Sequence, residues 1–209
     1  FHGIVRDADG NVDVVQAGGK YNLPDVSARL GLAQLERLDA FSARRRELAD
    51  SQEPFAIIQG CSDSRVPAEL VFDQGFGDLF VIRVAGNVVA PSQVGSVEFA
   101  ASRFGTRLVV VMGHSQCGVV GAALEELQGS SGRQSRNLRS IVDRIRPAVS
   151  TLLGTELRHD REALVQAAVR ANIRVAVDHL WHGSEILEDL IQREGLTIVG
   201  AEYSLESGE

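Results

Sequence analysis

The sequence predicts an α/β fold, a mostly parallel β-sheet flanked by helices, with an extended N-terminal arm. Two observations carry that expectation. Continuous apolar runs at 55–58, 79–84, 108–112 and 196–201 alternate with helical stretches, the pattern of strands buried on both faces between crossover helices. Two polar runs, Gly60-Cys61-Ser62-Asp63-Ser64-Arg65 and Gly113-His114-Ser115-Gln116-Cys117-Gly118, follow two of those strands directly. Sites in open α/β sheets gather at such carboxyl ends.

In chain order, residues 1–22 read as a hairpin, with 3–5 and 12–15 as strands around Asp7-Ala8-Asp9-Gly10-Asn11. That acidic run is not a calcium loop: its glycine comes too early and no acidic residue closes it at the required distance. Gly18-Gly19 breaks the pattern. Pro24-Asp25 opens a long helix to about Asp50, with Leu32, Leu35, Leu38 and Phe41 as its apolar stripe and Arg44-Arg45-Arg46-Glu47 as a solvated face. Residues 1–51 form this arm, and 52–209 form the α/β domain that carries the chemistry.

Gln52-Glu53-Pro54 leads into the first strand. After the polar run, Pro67 starts a short helix over 68–72, and Gly75 to Gly77 turn the chain into the strand at 79–84, which ends at Ala85-Gly86-Asn87. A helix over 92–104, with Val94, Val97, Phe99 and Ala101 apolar, stops at Gly105. The third strand and second polar run follow, then a helix from Gly118 to about Gln128. Residues 129–136 are rich in Gly, Ser and Arg and read as a mobile surface loop. Helices are expected over about 138–153 and 159–181, the second carrying Leu164, Ala168, Ile173, Val177 and Leu180. Ser184 caps another through Arg193, Gly195 closes it, and the last strand follows, with a turn at 206–208 after Tyr203.

The chain has 209 residues, enough for a full core, and a formal charge of -7. That charge argues against nucleic-acid and anionic-membrane partners. Lys20 is the single lysine among mostly arginine bases. No apolar run is long enough to cross a bilayer and no signal-peptide pattern opens the chain, although it begins at Phe1. With two cysteines and no targeting segment, a cytoplasmic, reducing setting is expected.

Cys61 and Cys117 could pair as a small disulfide. His114, three residues before Cys117, points instead to a metal, because two thiolates and one imidazole suit zinc and leave its fourth position for water. Asp63 lies two residues from Cys61, so an extended segment points both to one side. Arg65 can clamp the Asp63 carboxylate. A structural ion pair at a strand end is the plainer reading of that dyad. The run from Gly113 to Gly118 lacks the Lys-Ser/Thr of a phosphate loop.

Cys61-Ser62-Asp63-Ser64-Arg65 followed by His114-x-x-Cys117 resembles the β-class carbonic anhydrases. Gly60 through Pro67, Gly77-Asp78-Leu79-Phe80, Arg83-Val84-Ala85-Gly86-Asn87, Gly95-Ser96-Val97-Glu98-Phe99 and Gly113 through Gly118 match family segments in order. The likeness spans about 52–205 and is nearer the plant-like (type I) branch. It implies one zinc per chain on Cys61, His114 and Cys117, with Asp63 and Arg65 as the catalytic dyad. It further implies reversible hydration of carbon dioxide to bicarbonate by a zinc-bound hydroxide. Phe80, Val84 and Phe99 would wall the CO2 pocket, Gly118 would bring a backbone N–H close to substrate, and Gln52 would approach the site of a neighbouring subunit. Family dimers exchange their N-terminal helices, so a homodimer or dimer of dimers is expected, with the arm packed on a partner.

Two positions depart from the family. Ile58 stands where the branch regulated by a non-catalytic bicarbonate site has Trp, so such regulation is not expected, although Arg83 and Tyr203 match other parts of it. The usual Gly-Asn-x-Arg-Phe segment is missing before Gln52, and the opening hairpin has no counterpart. A hydrolase of carbonyl sulfide or carbon disulfide, or a structural protein stapled by zinc, would use the same ligands. His2, His159, His179 and His182 are shuttle candidates by residue type alone, and Gly60, Gly86, Gly113 and Gly118 are expected to permit close approach around the metal.

Overall fold

Two central strands set the architecture. In the computed structural model, which describes residues 4–6, 12–14, 25–129 and 135–209, β3 (Ala56–Gly60) is buried at every position and β5 (Leu108–His114) at all but its first. Ile57, Ile58, Val109 and Val111 are almost fully enclosed, each contributing about 1.5–3 kcal/mol through burial. β4 (Leu79–Arg83) flanks β3, and β6 (Thr197–Tyr203) flanks β5, giving the all-parallel order β4-β3-β5-β6. The continuous apolar runs are these strands, and both edge strands are less buried than the central pair. Ile57 pairs with Val109 and Gly60 with Met112, so β3 ends beside β5 two residues short of the end of β5.

Helices flank the sheet. α4 (Pro91–Arg103) packs on β3 and β4, and α7 (Arg161–His182) on β5 and β6. α5 (Gly118–Leu127), α6 (Arg136–Val149) and α8 (Glu185–Glu194) complete the layer around α7. α3 (Ala68–Val71) is the short helix after Pro67. The Ser184 hydroxyl accepts from Leu187 N, and Gly195 ends α8 at φ 75°, as their types predict.

Several boundaries differ from the sequence reading. β5 runs on through Gly113 to His114, so the histidine lies on the strand, and β6 continues to Tyr203. α6 begins at Arg136 because Ser135 caps it, its hydroxyl accepting from Leu138 N, so the expected loop ends sooner. Residues 130–134 of that loop lie outside the described residues. Two short 3-10 turns, Leu152–Gly154 and Glu156–His159, separate α6 from α7.

The chain divides into two compact units, Phe1–Glu47 and Leu48–Glu209. In the first, β1 (Ile4–Arg6) and β2 (Val12–Val14) pair antiparallel, Ile4 opposite Val14. The expected turn at 7–11 and Gly18-Gly19 lie outside the described residues. The single long helix proves to be two, α1 (Asp25–Glu36) and α2 (Leu38–Glu47), interrupted at Arg37. Leu32, Leu35 and Leu38 of the apolar stripe are exposed, and α2 buries none of its residues.

Candidate metal centre

Cys61 follows the last residue of β3, and His114 is the last residue of β5. Because those strand ends are neighbours, residues far apart in sequence leave the sheet side by side. Cys117 is the N-cap residue of α5, three positions past His114. The ligand atoms of Cys61, His114 and Cys117 lie within 4.8 Å of one another, and all three residues are buried.

A hydrogen bond decides which imidazole nitrogen is available. His114 Nδ1 lies 2.8 Å from the Ser115 carbonyl oxygen. A carbonyl only accepts, so Nδ1 carries the proton and Nε2 presents a lone pair. That Nε2 is buried without a hydrogen-bond partner. A buried polar atom left unmade costs about 1–3 kcal/mol, and here it stands beside two free, buried thiols. A cation bound by all three would satisfy it. Two sulfurs and one imidazole form a donor set for a borderline-soft divalent metal, so the three residues could hold a metal ion.

The three side chains also perturb one another's titration. The Cys117 thiol, ahead of any other cause, pulls Cys61 down, and His114 and the backbone N–H groups of Asp63 and Gly86 add to this against the cost of burial. Cys117 is pushed up, first by the proton it shares with Cys61 and then by burial. A dication bound there would hold both sulfurs as thiolates. Burial pulls His114 down, but the Cys61 sulfur, the Ser115 carbonyl and the charges of Cys61 and Asp63 together take it above its ordinary value.

Asp63 stands at the edge of the cluster, its Oδ2 3.8 Å from His114 Nε2. Arg65 grips it through both oxygens: the backbone N and Nε donate to Oδ1 at 3.0 and 2.9 Å, and Nη2 donates to Oδ2 at 2.8 Å. These contacts, the side-chain hydrogen bonds foremost, hold the carboxyl well below the usual carboxylate range. Arg65 Nη2 also donates to the Gln116 carbonyl at 3.3 Å, tying the two polar runs together.

Further supports surround the cluster, of which only the close approach of Gly86 was expected from the sequence. Arg83, at the end of β4, donates to the carbonyl oxygens of Cys61 and Asp63. Gly86 N–H points at Cys61 Sγ, 3.3 Å away, from a turn whose left-handed φ of 72° suits glycine. That turn is held from α7 by Asn172, which is 2% exposed and donates to the Gly86 carbonyl at 2.8 Å and to Asn87 Oδ1 at 3.3 Å. A signal existed: Asn172 lies four residues from Ala168 and from Ala176, on the buried face of α7. Gln116 has φ 52°, a left-handed conformation that its residue type does not announce.

The structure also places the remaining expected pocket residues. Val84 exchanges backbone hydrogen bonds with Gly60 and Ser62, on either side of Cys61. Phe80 and Phe99 meet at a ring-centroid distance of 6.3 Å, and Phe104 joins them edge-on to Phe99 at 5.5 Å. Phe99 is nonetheless 54% exposed. Gly118 opens α5. Gln52 is half-buried before β3, and no side-chain hydrogen bond joins it to the cluster among the described residues. Of the four glycines expected to permit close approach around the metal, Gly86 brings its N–H to Cys61 Sγ. A Cβ on Gly60 or Gly118 would meet only ordinary contacts or open space, and Gly113 is close to Ile173 of α7 instead.

A sequence profile of the carbonic anhydrase family matches residues 56–209, nearly three quarters of the chain. The chain belongs to the β-class carbonic anhydrase family. Carbonic anhydrase 2 of Mycobacterium tuberculosis is 39% identical over 164 residues, covering 78% of this chain and 76% of its own length. The carbonic anhydrase of Mycolicibacterium smegmatis is 36% identical, covering 89% and 87%. The solved β-carbonic anhydrase CafA of Aspergillus fumigatus is similar at a TM-score of 0.73, with 26% identity over 89% of each chain.

A second profile, of the DegT/DnrJ/EryC1/StrS aminotransferase family, matches residues 1–71. It takes in about a third of the chain and overlaps the carbonic anhydrase match at 56–71. The opening hairpin, without a counterpart in the β-class resemblance, falls inside this match.

Proposed function

We propose that the chain catalyses the reversible hydration of carbon dioxide to bicarbonate and a proton, as a zinc-dependent carbonate dehydratase. Cys61, His114 and Cys117 would hold one zinc per chain. The observation that carries the reading is the buried, unpartnered His114 Nε2 between two free thiols, with an arginine-clamped carboxylate 3.8 Å away. Bound there, zinc supplies the Lewis acidity that makes water nucleophilic near neutral pH.

The chain's own residues do the rest. Asp63 Oδ2 accepts a hydrogen bond from the reacting water and so fixes the direction of its lone pair. Arg65 occupies both Asp63 oxygens, keeping the carboxylate ionised at neutral pH and off the metal. Ile58, where a regulated branch has Trp, agrees with a site that stays open. CO2 is linear and nonpolar, and Phe80, Val84 and Phe99 offer it an apolar wall. Gly118 N–H, in the first turn of α5, faces the charge that develops on the product oxygens, where the helix dipole favours it.

The half-exposed Phe99 and the exposed leucines of α1 support a homodimer or dimer of dimers. In that assembly the arm, residues 1–51, packs on a partner and Gln52 reaches the neighbouring site of the catalytic domain, residues 52–209. Two free cysteines support a reducing, cytoplasmic setting, and no helix among the described residues is long and apolar enough to cross a membrane.

Stopped-flow CO2 hydration by zinc-loaded protein at about pH 8 tests the reading, with metal content measured on the same sample. Acceleration is expected, and Asp63→Asn, with its zinc retained, should lose about 10²-fold in kcat. A fully zinc-loaded wild type without acceleration overturns the assignment.

A further inference from the structure

The tail after β6 reaches back ninety residues to the loop that carries His114 and Cys117. Glu206 ends up against that loop with both carboxylate oxygens engaged. Its Oε2 accepts from Ser115 Oγ at 2.6 Å and from Ser204 Oγ at 3.2 Å, and its Oε1 accepts from Gln116 Nε2. Backbone bonds reinforce the seam: Ser115 N donates to the Tyr203 carbonyl at 2.9 Å, and Leu205 N to Ser115 Oγ at 2.9 Å.

The two residues held by Glu206 each present a carbonyl to the site. The Ser115 carbonyl receives His114 Nδ1 and so fixes which nitrogen faces the cysteines. The Gln116 carbonyl receives Arg65 Nη2, the same nitrogen that holds Asp63 Oδ2. Gln116 presents that carbonyl from a left-handed backbone, φ 52°, which a residue with a side chain adopts only when something holds it. The side chain of Gln116 is held by Glu206. One carboxylate thus braces both the imidazole's orientation and the arginine clamp while touching neither.

We propose that Glu206 is a positioning residue for the metal centre: through Ser115 and Gln116 it sets the orientation of His114 and anchors Arg65 on Asp63. Groups hydrogen-bonded directly to a metal's ligands typically change metal affinity or activity 10–100-fold when lost, and Glu206 acts one residue further out, so the low end of that range is expected. The carboxylate lies on the exposed tail, so its replacement leaves the buried core of the domain untouched. The inference rests on the zinc-site reading above.

Its test uses the full chain and reads metal affinity as well as rate. Zinc affinity by chelator competition should fall about tenfold in Glu206→Ala, with the melting temperature of the zinc-loaded protein little changed. The cobalt-substituted variant should show an altered visible spectrum, as expected of a re-oriented imidazole. Glu206→Gln keeps one carbonyl acceptor and should recover most of the affinity. Glu206, Ser115, Gln116 and Glu162 line one cavity of about 880 Å³, and Glu162→Ala is the control that should leave affinity unchanged. Wild-type zinc affinity and cobalt spectrum in Glu206→Ala would overturn the proposal, as would equal losses in Glu206→Ala and Glu162→Ala. Because metal affinity and spectrum are read directly, a wild type that binds zinc but does not hydrate CO2 would sink the function and still decide the role of Glu206.

Discussion

The two polar runs end adjacent strands and share one site, yet they are held in different ways. The run after β3 is held by charge from the edge strand β4. Arg83 donates to two of its carbonyls, and Gly86 N–H faces Cys61 Sγ. The run after β5 is held by packing and by the tail of the other edge strand. Gly113 is pressed against α7, Ser115 bonds to Tyr203 and Leu205, and Glu206 braces Ser115 and Gln116. In the order β4-β3-β5-β6 the candidate ligands thus come from the central pair and the braces from both edges. Metal ligands must stay within a few tenths of an ångström of their places, and strand ends alone do not supply that constraint. Three tests separate the two supports from the site they serve.

The largest effect comes from breaking the site itself. His114→Ala removes the nitrogen donor of the candidate ligand set and leaves two sulfurs. Zinc content should fall toward zero and CO2 hydration to background, as read by metal analysis and stopped-flow on one sample. If His114→Ala kept both zinc and rate, the ligand set would be wrong and the comparison of the two runs would lose its meaning.

Breaking the brace on the first run should cost less. Arg83→Met keeps the aliphatic stem and removes the donors that the Cys61 and Asp63 carbonyls use. Activity or zinc affinity should drop about 10–100-fold. Added guanidine derivatives offer a check, because a small guanidinium that restores rate would show that lost donors, not lost packing, caused the drop. If Arg83→Met left rate and affinity unchanged, the first run would owe its position to strand pairing alone.

How much of this was legible in the sequence follows from what each feature depends on. The four strands were legible because burial on both faces demands continuous apolar residues, and the Cys61, His114 and Cys117 cluster because cysteine and histidine are uncommon and stand at strand ends. Asp63 and Arg65 were legible because they lie within four residues of Cys61. Arg83, Glu206 and Asn172 were not read as supports of Cys61, His114 and Cys117, because their partners are backbone carbonyls or side chains distant in sequence. A carbonyl leaves no trace in residue identity. The packing of Gly113 was not legible for a related reason: what a side chain there would strike is Ile173, sixty residues later. The break at Arg37, which divides the expected long helix, has no glycine or proline to mark it.

The smallest effect separates packing from chemistry within the second run. A Cβ on Gly113 would stand 2.6 Å from Ile173 Cδ1 and 2.7 Å from Cγ1, closer than such atoms approach, so β5 or α7 must move. Overpacking of this kind costs about 1–3 kcal/mol, which Gly113→Ala should show as a lowered urea midpoint with an unchanged slope. A Cβ on Gly118, at the other end of the run, meets nothing within 4 Å, so Gly118→Ala should leave the midpoint alone. Ile173→Val deletes the Cδ1 methyl that Gly113→Ala would strike. Paired with Gly113→Ala it should therefore cost less than the two single changes added together, a positive coupling expected of residues in direct contact. Additive losses would mean that β5 shifts away from α7 as a whole. In that case His114, the next residue along β5, would move with it, and zinc affinity in Gly113→Ala would fall together with stability.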